Sequence, residues 1–182
     1  RGAHGGERMS KHILLCGSVG AGKSTLIRRL LAHSNRTVYG FFTRRLPADE
    51  TGFHPIYIHP AGETQPDWSP QNLVGICDGK THRAALEVFN TLGVRYLDAP
   101  ADGILVLDDL GFLEADAQAF AEKVFTVLDG STPVLAAVKA RFDVPFLNRV
   151  RSHPNATVYS LTADNREELY TRLKPLVESW NL

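Results

Sequence analysis

Short apolar runs bounded by polar or turn-forming residues recur along the chain. Runs that are almost continuously apolar predict strands buried on both faces of a sheet. Four runs of this kind are HILLC (12–16), GILVLDDLG (103–111), PVLAAVK (133–139) and TVYSLT (157–162).

Two further runs predict a β-hairpin. Residues 37–43 (TVYGFFT) and 52–59 (GFHPIYIH) are rich in β-branched and aromatic residues, although Pro55 interrupts the second. The turn-like segment 44–51 joins them. Residues 60–72 contain three prolines and a glycine and predict an exposed loop.

Apolar positions spaced three and four residues apart predict helices between the strands. We expect them over 23–32, over 81–92 with Thr81 as N-cap, over 114–128 with Gly130 as the stop, and from 164 onwards. Asp164 and Glu167 predict a capping box for the last helix, and Pro175 predicts a kink in it. The predicted buried stripes are Ala85, Val88, Phe89 and Leu92 in the second helix, Ala117, Phe120, Ala121, Val124 and Leu128 in the third, and Leu169, Leu173, Leu176 and Trp180 in the last.

The alternation of strands and helices predicts an α/β fold. We expect a three-layer α/β/α arrangement around a mainly parallel sheet, which the hairpin would make mixed. A chain of 182 residues suits a single domain, here over 11–182. Residues 1–10 show no periodicity, which predicts a disordered tail or an expression remnant.

Composition narrows the choice of partners. The 20 basic and 20 acidic residues balance, so no overall charge favours nucleic acid or a membrane surface. No apolar stretch is long enough to span a bilayer and no signal peptide is visible, so we expect a cytoplasmic protein. Cys16 and Cys77 form no CxxC pair, which argues against a zinc site.

The segment GSVGAGKS (17–24) has the spacing of a phosphate-binding P-loop, and a predicted strand precedes it while a predicted helix follows. Glycines let the backbone turn its N–H groups toward an anion, Lys23 adds a positive charge, and Ser24 offers a hydroxyl to Mg²⁺. The predicted phosphate-binding residues are Gly17, Ser18, Val19, Gly20, Ala21, Gly22, Lys23, Ser24 and Thr25.

A second motif, ILVLDDLG (104–111), resembles a Walker B strand that ends in acids. We expect this strand to lie next to the P-loop strand and to bring Asp108 to the Mg²⁺. Asp109 can then position a water for attack on the γ-phosphate, although acids also occur at strand ends as caps or as solvated loop residues. The chain has no NKxD motif, which disfavours a dedicated GTPase.

These residues resemble the small P-loop nucleoside-triphosphatases, the family that includes the human cancer-related nucleoside-triphosphatase. GFFT (40–43) is similar to the family's GF[YF]T. LDDLGFLE (107–114), followed by Phe120, is similar to its DEIGKME segment. LTADNREEL (161–169) is similar to its VTxxNRDxL.

The resemblance implies slow hydrolysis of nucleoside triphosphates of broad base specificity, with Mg²⁺ as cofactor. It places the P-loop on the phosphates, Asp108 on the metal, Asp109 on the attacking water, and Asn165 and Arg166 near the base. This chain departs from the family in three places, because Asp109 replaces a glutamate, Phe112 replaces a lysine, and Thr51 replaces an arginine. If Asp109 is too short, Glu114 can bridge the gap, so the candidate catalytic residues are Lys23, Asp109 and Glu114.

Two other functions stay open. A kinase for a nucleotide or small molecule would bind its acceptor through Arg44, Arg45 and the loop to Asn72. A nucleotide-dependent switch would act on a protein partner. Lys139, at the end of a predicted strand, is either a sensor of the γ-phosphate or an ordinary strand-end lysine. The sequence does not choose among Arg44, Arg45, Arg83, Arg141 and Arg149 as the side chain that neutralises transition-state charge.

Overall fold

A computed structural model describes residues 11–62, 68–78 and 82–182. The described residues form one sheet of eight strands with the order β5-β4-β3-β2-β6-β7-β1-β8. The strands are β1 His12–Gly17, β2 Thr37–Arg45, β3 His54–Pro60, β4 Leu73–Cys77, β5 His82–Ala84, β6 Gly103–Leu110, β7 Val134–Lys139 and β8 Ala156–Ser160.

The sheet has a parallel part and an antiparallel extension. Strands β2, β6, β7, β1 and β8 are parallel neighbours, while β3, β4 and β5 add to the outer edge of β2 in antiparallel pairs. The predicted hairpin is confirmed as the β2–β3 pair, in which Arg45 lies opposite Ile56. The sheet is therefore mainly parallel but mixed.

Helices cover both faces of the sheet. They are α1 Lys23–Leu31, α2 Leu86–Val88, α3 Val94–Tyr96, α4 Gln118–Asp129, α5 Pro145–Arg151 and α6 Arg166–Ser179, and a π-helical turn (Phe89–Gly93) joins α2 to α3. The side chains of β1 alternate between two buried clusters, because Leu14 packs with residues of α4 and α5 whereas Ile13 and Leu15 pack with residues of α1 and α6. The predicted three-layer α/β/α fold is confirmed.

One glycine fixes how closely β2 approaches β6. Gly40 has φ 100°, and a Cβ atom added to it would lie 1.9 Å from the carbonyl oxygen of Val106. Only glycine therefore fits this position, which lies where the parallel part of the sheet meets the antiparallel extension.

Several predicted elements differ from the structure. The predicted helix over 81–92 is wrong at its start, since residues 82–84 form the edge strand β5 and helical structure begins at Leu86. Its predicted N-cap, Thr81, lies outside the described residues. The third helix begins at Gln118 rather than Glu114, and α5 was not predicted. The predicted capping box is also wrong, because α6 begins after Asn165 and no side chain caps it. Strand β8 is half-buried, as an edge strand should be.

Residues 1–10 and part of the predicted loop over 60–72 also lie outside the described residues. Within the ranges that the structure does describe, no helix is both long enough and apolar enough to cross a bilayer.

Candidate active site

The P-loop connects the end of β1 to the start of α1. Gly20 and Gly22 have φ angles of 82° and 96°, which glycine adopts without the strain of a side chain. The N–H of Ala21 donates to the carbonyl oxygen of Ser18 over 3.1 Å, which closes the turn. The loop therefore has the backbone shape that a phosphate-binding loop requires.

Lys23 is buried beneath this loop. Its Nζ donates to the carbonyl oxygen of Gly17 over 2.5 Å and to that of Ser18 over 3.2 Å. Burial lowers the pKa of this ammonium group, and the negative charge of Asp109 partly opposes that shift. The positive charge is thus held against the loop backbone, at the position where phosphate oxygens would replace the two carbonyls.

Ser24 and Asp108 meet across the cleft. The Ser24 hydroxyl donates to Oδ1 of Asp108 over 2.8 Å. Burial raises the pKa of the Asp108 carboxyl to about 6, and the nearby charge of Asp109 adds to that rise. The prediction that β6 lies next to the P-loop strand is wrong, because β7 lies between β6 and β1. Asp108 still reaches Ser24, since both strands end at the same edge of the sheet.

The oxygens of Ser24 and Asp108 fit a magnesium ion. A hydroxyl and a carboxylate are hard oxygen ligands, and Mg²⁺ in such sites takes one or two protein ligands together with phosphate oxygens and waters. The carboxylate of Asp108 is disfavoured in its charged form, so a divalent cation would relieve its desolvation. Among the described residues, no group of three or more His, Cys, Asp or Glu side chains could hold a metal by itself.

Asp109 and Lys139 face each other at the ends of β6 and β7. Oδ2 of Asp109 lies 3.9 Å from Nζ of Lys139, and both side chains are partly exposed. Lys139 therefore forms an ion pair with the acid that is predicted to position water, and its role as a sensor of the γ-phosphate stays a prediction.

Glu114 is buried behind these residues. One of its carboxylate oxygens accepts a hydrogen bond from the N–H of Gly111, which ties the segment after β6 to this side chain. Burial raises the pKa of Glu114 to about 7, and the charge of Asp109 contributes to the rise.

A cavity of about 420 Å³ joins all these groups. The predicted residues Ser18, Val19, Gly20, Gly22, Lys23, Ser24, Thr25, Asp108, Asp109, Glu114 and Lys139 line it. The rest of its wall consists of Thr43, Arg45, Ile56, Cys77, Phe89, Gly111, Phe112 and Leu113. Of these, the sequence proposed a role in the site for Arg45 alone. Of the five arginines left open, Arg45 is the one that lines this cavity, whereas Arg44 lines a smaller cavity on the other side of Asp108.

Asn165 and Arg166 lie at the other end of the P-loop. The Arg166 guanidinium donates to the carbonyl oxygens of Ala21, over 2.7 Å, and Gly20, over 3.0 Å. The Asn165 amide donates to the carbonyl oxygen of Ser160 and accepts from the N–H of Thr162, each over 2.8 Å. The structure therefore brings Arg166 to the P-loop, whereas Asn165 bonds to the segment after β8. Contact of either residue with a base stays a prediction.

An α/β/α sheet with a phosphate-binding loop between its first strand and first helix is characteristic of P-loop NTPases. The comparison with known families matches the NTPase family over residues 12–173. The chain therefore belongs to the NTPase family, which confirms both the family resemblance and the predicted enzyme class, a nucleoside-triphosphatase.

Individual relatives agree with this assignment. The chain is 23% identical to nucleoside-triphosphatase THEP1 of Aquifex aeolicus over 91% of this chain and 98% of that protein. It is 27% identical to the cancer-related nucleoside-triphosphatase homolog of Mus musculus, over 94% and 98% of the two chains. The crystal structure of THEP1 from Aquifex aeolicus is similar in fold, with a TM-score of 0.71 at 21% identity, over 92% of this chain and 99% of that one.

Proposed function

We propose that this chain hydrolyses ATP, GTP and other nucleoside triphosphates to the diphosphate and phosphate, in a slow, Mg²⁺-dependent reaction of broad base specificity. The observation that carries the proposal is the meeting of Lys23, the Ser24–Asp108 pair and Asp109 in one cavity at the carboxyl edge of the sheet. Membership of the NTPase family supports it.

Binding of the triphosphate is assigned to the P-loop. Its backbone N–H groups and the N-terminus of α1 favour negative charge, and Lys23 exchanges its two carbonyl acceptors for phosphate oxygens. Burial raises the free energy of the charged Lys23 ammonium group, and the negative charge of a bound phosphate offsets part of that rise. Lys23 therefore contributes to the ground state and to the transition state together.

The Mg²⁺ would be held by Ser24 and Asp108. When bound, it supplies positive charge to the β- and γ-phosphate oxygens. Burial of Asp108 keeps this carboxylate from being fully solvated, which strengthens its attraction for a cation.

Hydrolysis is assigned to Asp109. Its carboxylate orients a water whose oxygen forms a bond to the γ-phosphorus while the bond from that phosphorus to the β–γ bridging oxygen breaks, and the proton of the water passes to Asp109. Nζ of Lys139, 3.9 Å from Oδ2 of Asp109, holds this carboxylate in an ion pair. The family usually has a glutamate here, so the shorter Asp109 supports a slow reaction.

Base specificity is assigned to Arg166. A guanidinium plane that stacks on a base accepts any purine or pyrimidine. Arg166 lies at the edge of the P-loop, where the nucleoside follows the phosphates, and its bonds to Gly20 and Ala21 hold it there.

Phosphate release from ATP, with Mg²⁺ and with EDTA, tests the proposal. We expect release by the wild type only with Mg²⁺. Lys23→Ala should lose nucleotide affinity and hydrolysis together, whereas Lys174→Ala, which removes an exposed lysine of α6, should match the wild type. Full turnover by Lys23→Ala would refute the assigned site.

A further inference from the structure

The cavity extends well beyond the space that hydrolysis needs. Along the carboxyl edge of the sheet the order of strands is β1, β7, β6, β2, β3 and β4. At a strand spacing of about 4.8 Å, β4 lies roughly 14 Å beyond β6, which carries Asp109. Cys77 of β4 and Ile56 of β3 nevertheless line the same cavity as the P-loop.

The far part of this cavity has an apolar wall. We call this part the distal pocket; its wall consists of Ile56, Cys77, Phe89, Phe112 and Leu113. Cys77 and Phe89 are almost fully buried, with 3% and 1% of their surface exposed, whereas Ile56, Phe112 and Leu113 are half-buried. Thr43 and Arg45, at the end of β2, are its polar rim.

A single water beside Asp109 does not account for the distal pocket. The whole cavity, about 420 Å³ including its phosphate-binding part, has the mostly apolar lining with a few convergent polar groups that is typical of small-molecule sites. The apolar side chains of the distal pocket also offer water few hydrogen-bonding partners in that part of the cavity. Phosphoryl transfer to a different hydroxyl is favoured where water is kept from competing with the acceptor.

We propose that the distal pocket binds a small alcohol with an aromatic or heteroaromatic body, and that the enzyme transfers the γ-phosphoryl group to its hydroxyl. This inference rests on the proposed function, because it uses the same nucleoside triphosphate in the same P-loop. The hydroxyl oxygen forms a bond to the γ-phosphorus, the bond from that phosphorus to the β–γ bridging oxygen breaks, and the hydroxyl proton passes to Asp109. The products are the nucleoside diphosphate and a phosphate monoester.

The chemistry of the wall selects an aromatic alcohol over a polyol. Each sugar hydroxyl that enters an apolar site without a partner loses its hydrogen bonds to water, which weakens binding. The rings of Phe89 and Phe112 instead offer apolar and edge contacts to a planar body. The rim arginine, Arg45, favours a body that also carries a carbonyl or anionic group.

Transfer of label from [γ-³²P]ATP tests the inference, with free phosphate and labelled ester measured separately. The acceptors are benzyl alcohol, pyridoxine and thymidine, with glycerol and glucose as polar controls. We expect at least one aromatic alcohol to receive label ten times faster than water does, and the two polyols to receive none above background.

Variants that fill the distal pocket locate the acceptor. Cys77→Phe and, on the neighbouring strand, Ile56→Phe should lower the ratio of labelled ester to free phosphate at least tenfold. Thr126→Phe, which adds the same ring on the exposed side of α4 and away from the cavity, should keep the wild-type ratio. Should one filling variant fail to fold, the other still decides, since the two side chains belong to different strands.

The possible failures are distinguishable. If the wild type releases phosphate but labels none of the three aromatic alcohols, the transfer inference is overturned while the proposed hydrolysis stands. If label appears but both filling variants keep the wild-type ratio, the acceptor does not bind in the distal pocket. If the wild type neither binds ATP nor releases phosphate, the proposed function itself is wrong, and this inference falls with it.

Discussion

Asp108→Asn should make the nucleotide-free protein more stable at neutral pH while it removes the response to Mg²⁺. The cause is the burial of the Asp108 carboxyl, which raises its pKa from 3.8 to about 6. The neighbouring charge of Asp109 acts in the same direction. An asparagine cannot ionise, and its amide oxygen can still accept the hydrogen bond from Ser24.

The rise in pKa sets the size and the sign of the effect. Since one pKa unit corresponds to 1.36 kcal/mol, the ionised carboxylate costs the folded state about 3 kcal/mol at pH 7. The folded protein binds this proton more tightly than the unfolded chain. The free energy of unfolding is therefore highest below pH 3.8 and falls as the pH rises to about 6. In a chain of this size we expect Asp108→Asn to raise Tm by about 5–10 °C at pH 7.

Urea and thermal unfolding in EDTA, without nucleotide, measure this difference. The free energy of unfolding of Asp108→Asn should exceed that of the wild type at pH 7 and approach it at pH 4. The matched control is Asp102→Asn, since Asp102 is an exposed carboxylate in the turn before β6. With Mg²⁺ and a non-hydrolysable ATP analogue, the wild type should gain stability and Asp108→Asn should gain little. A variant less stable than the wild type at pH 7, or a gain of equal size at pH 4, would refute the reasoning.

Three other changes probe the site and the sheet. Asp109→Asn should slow phosphate release while nucleotide affinity stays within a few-fold, and Asp109→Glu should hold or raise kcat. An unchanged rate in Asp109→Asn would assign the positioning of the attacking water to Glu114 instead. ATP and GTP should differ by less than roughly tenfold in kcat/KM, about 1.4 kcal/mol, and a preference above a thousandfold would reveal a hydrogen-bonding base pocket. Gly40→Ala should lower the free energy of unfolding by more than about 3 kcal/mol, since its Cβ would lie 1.9 Å from a carbonyl oxygen. Gly52 also has a positive φ but faces open space, so Gly52→Ala should lower it by only about 1–2 kcal/mol. Equal losses in the two variants would exclude the close contact at Gly40.

The sequence predicted the elements whose signals are local. The P-loop spacing, the apolar run that ends at Asp108 and the hairpin over β2 and β3 each depend on neighbouring residues, and all three have the predicted form. Residues 82–84 were misassigned because a short edge strand has no periodicity of its own and exists only by pairing with β4. Helix α5 has seven residues, too few for a helical pattern to stand out.

The order of strands and the distal pocket could not be predicted in this way. The insertion of β7 between β1 and β6 is decided by packing, and no residue of β6 specifies its neighbour. Cys77, at the end of β4, and Phe89, at the start of the π-helical turn, carry no motif and look like ordinary core residues, so nothing in the sequence marks their place at the wall. The Arg166 contacts with the P-loop likewise join residues that are far apart in the chain.

The place of β1 in the sheet has a consequence for biosynthesis. Its neighbours are β7 and β8, which end more than 120 residues later in the chain, and Arg166 follows β8. During translation the P-loop strand therefore emerges first and finds its partners last, after β2 to β6 are already outside the ribosome. A nascent chain that stops before β7 has no site at which a nucleotide could assist folding. Nucleotide can stabilise this fold only after β7, β8 and Arg166 have emerged from the ribosome.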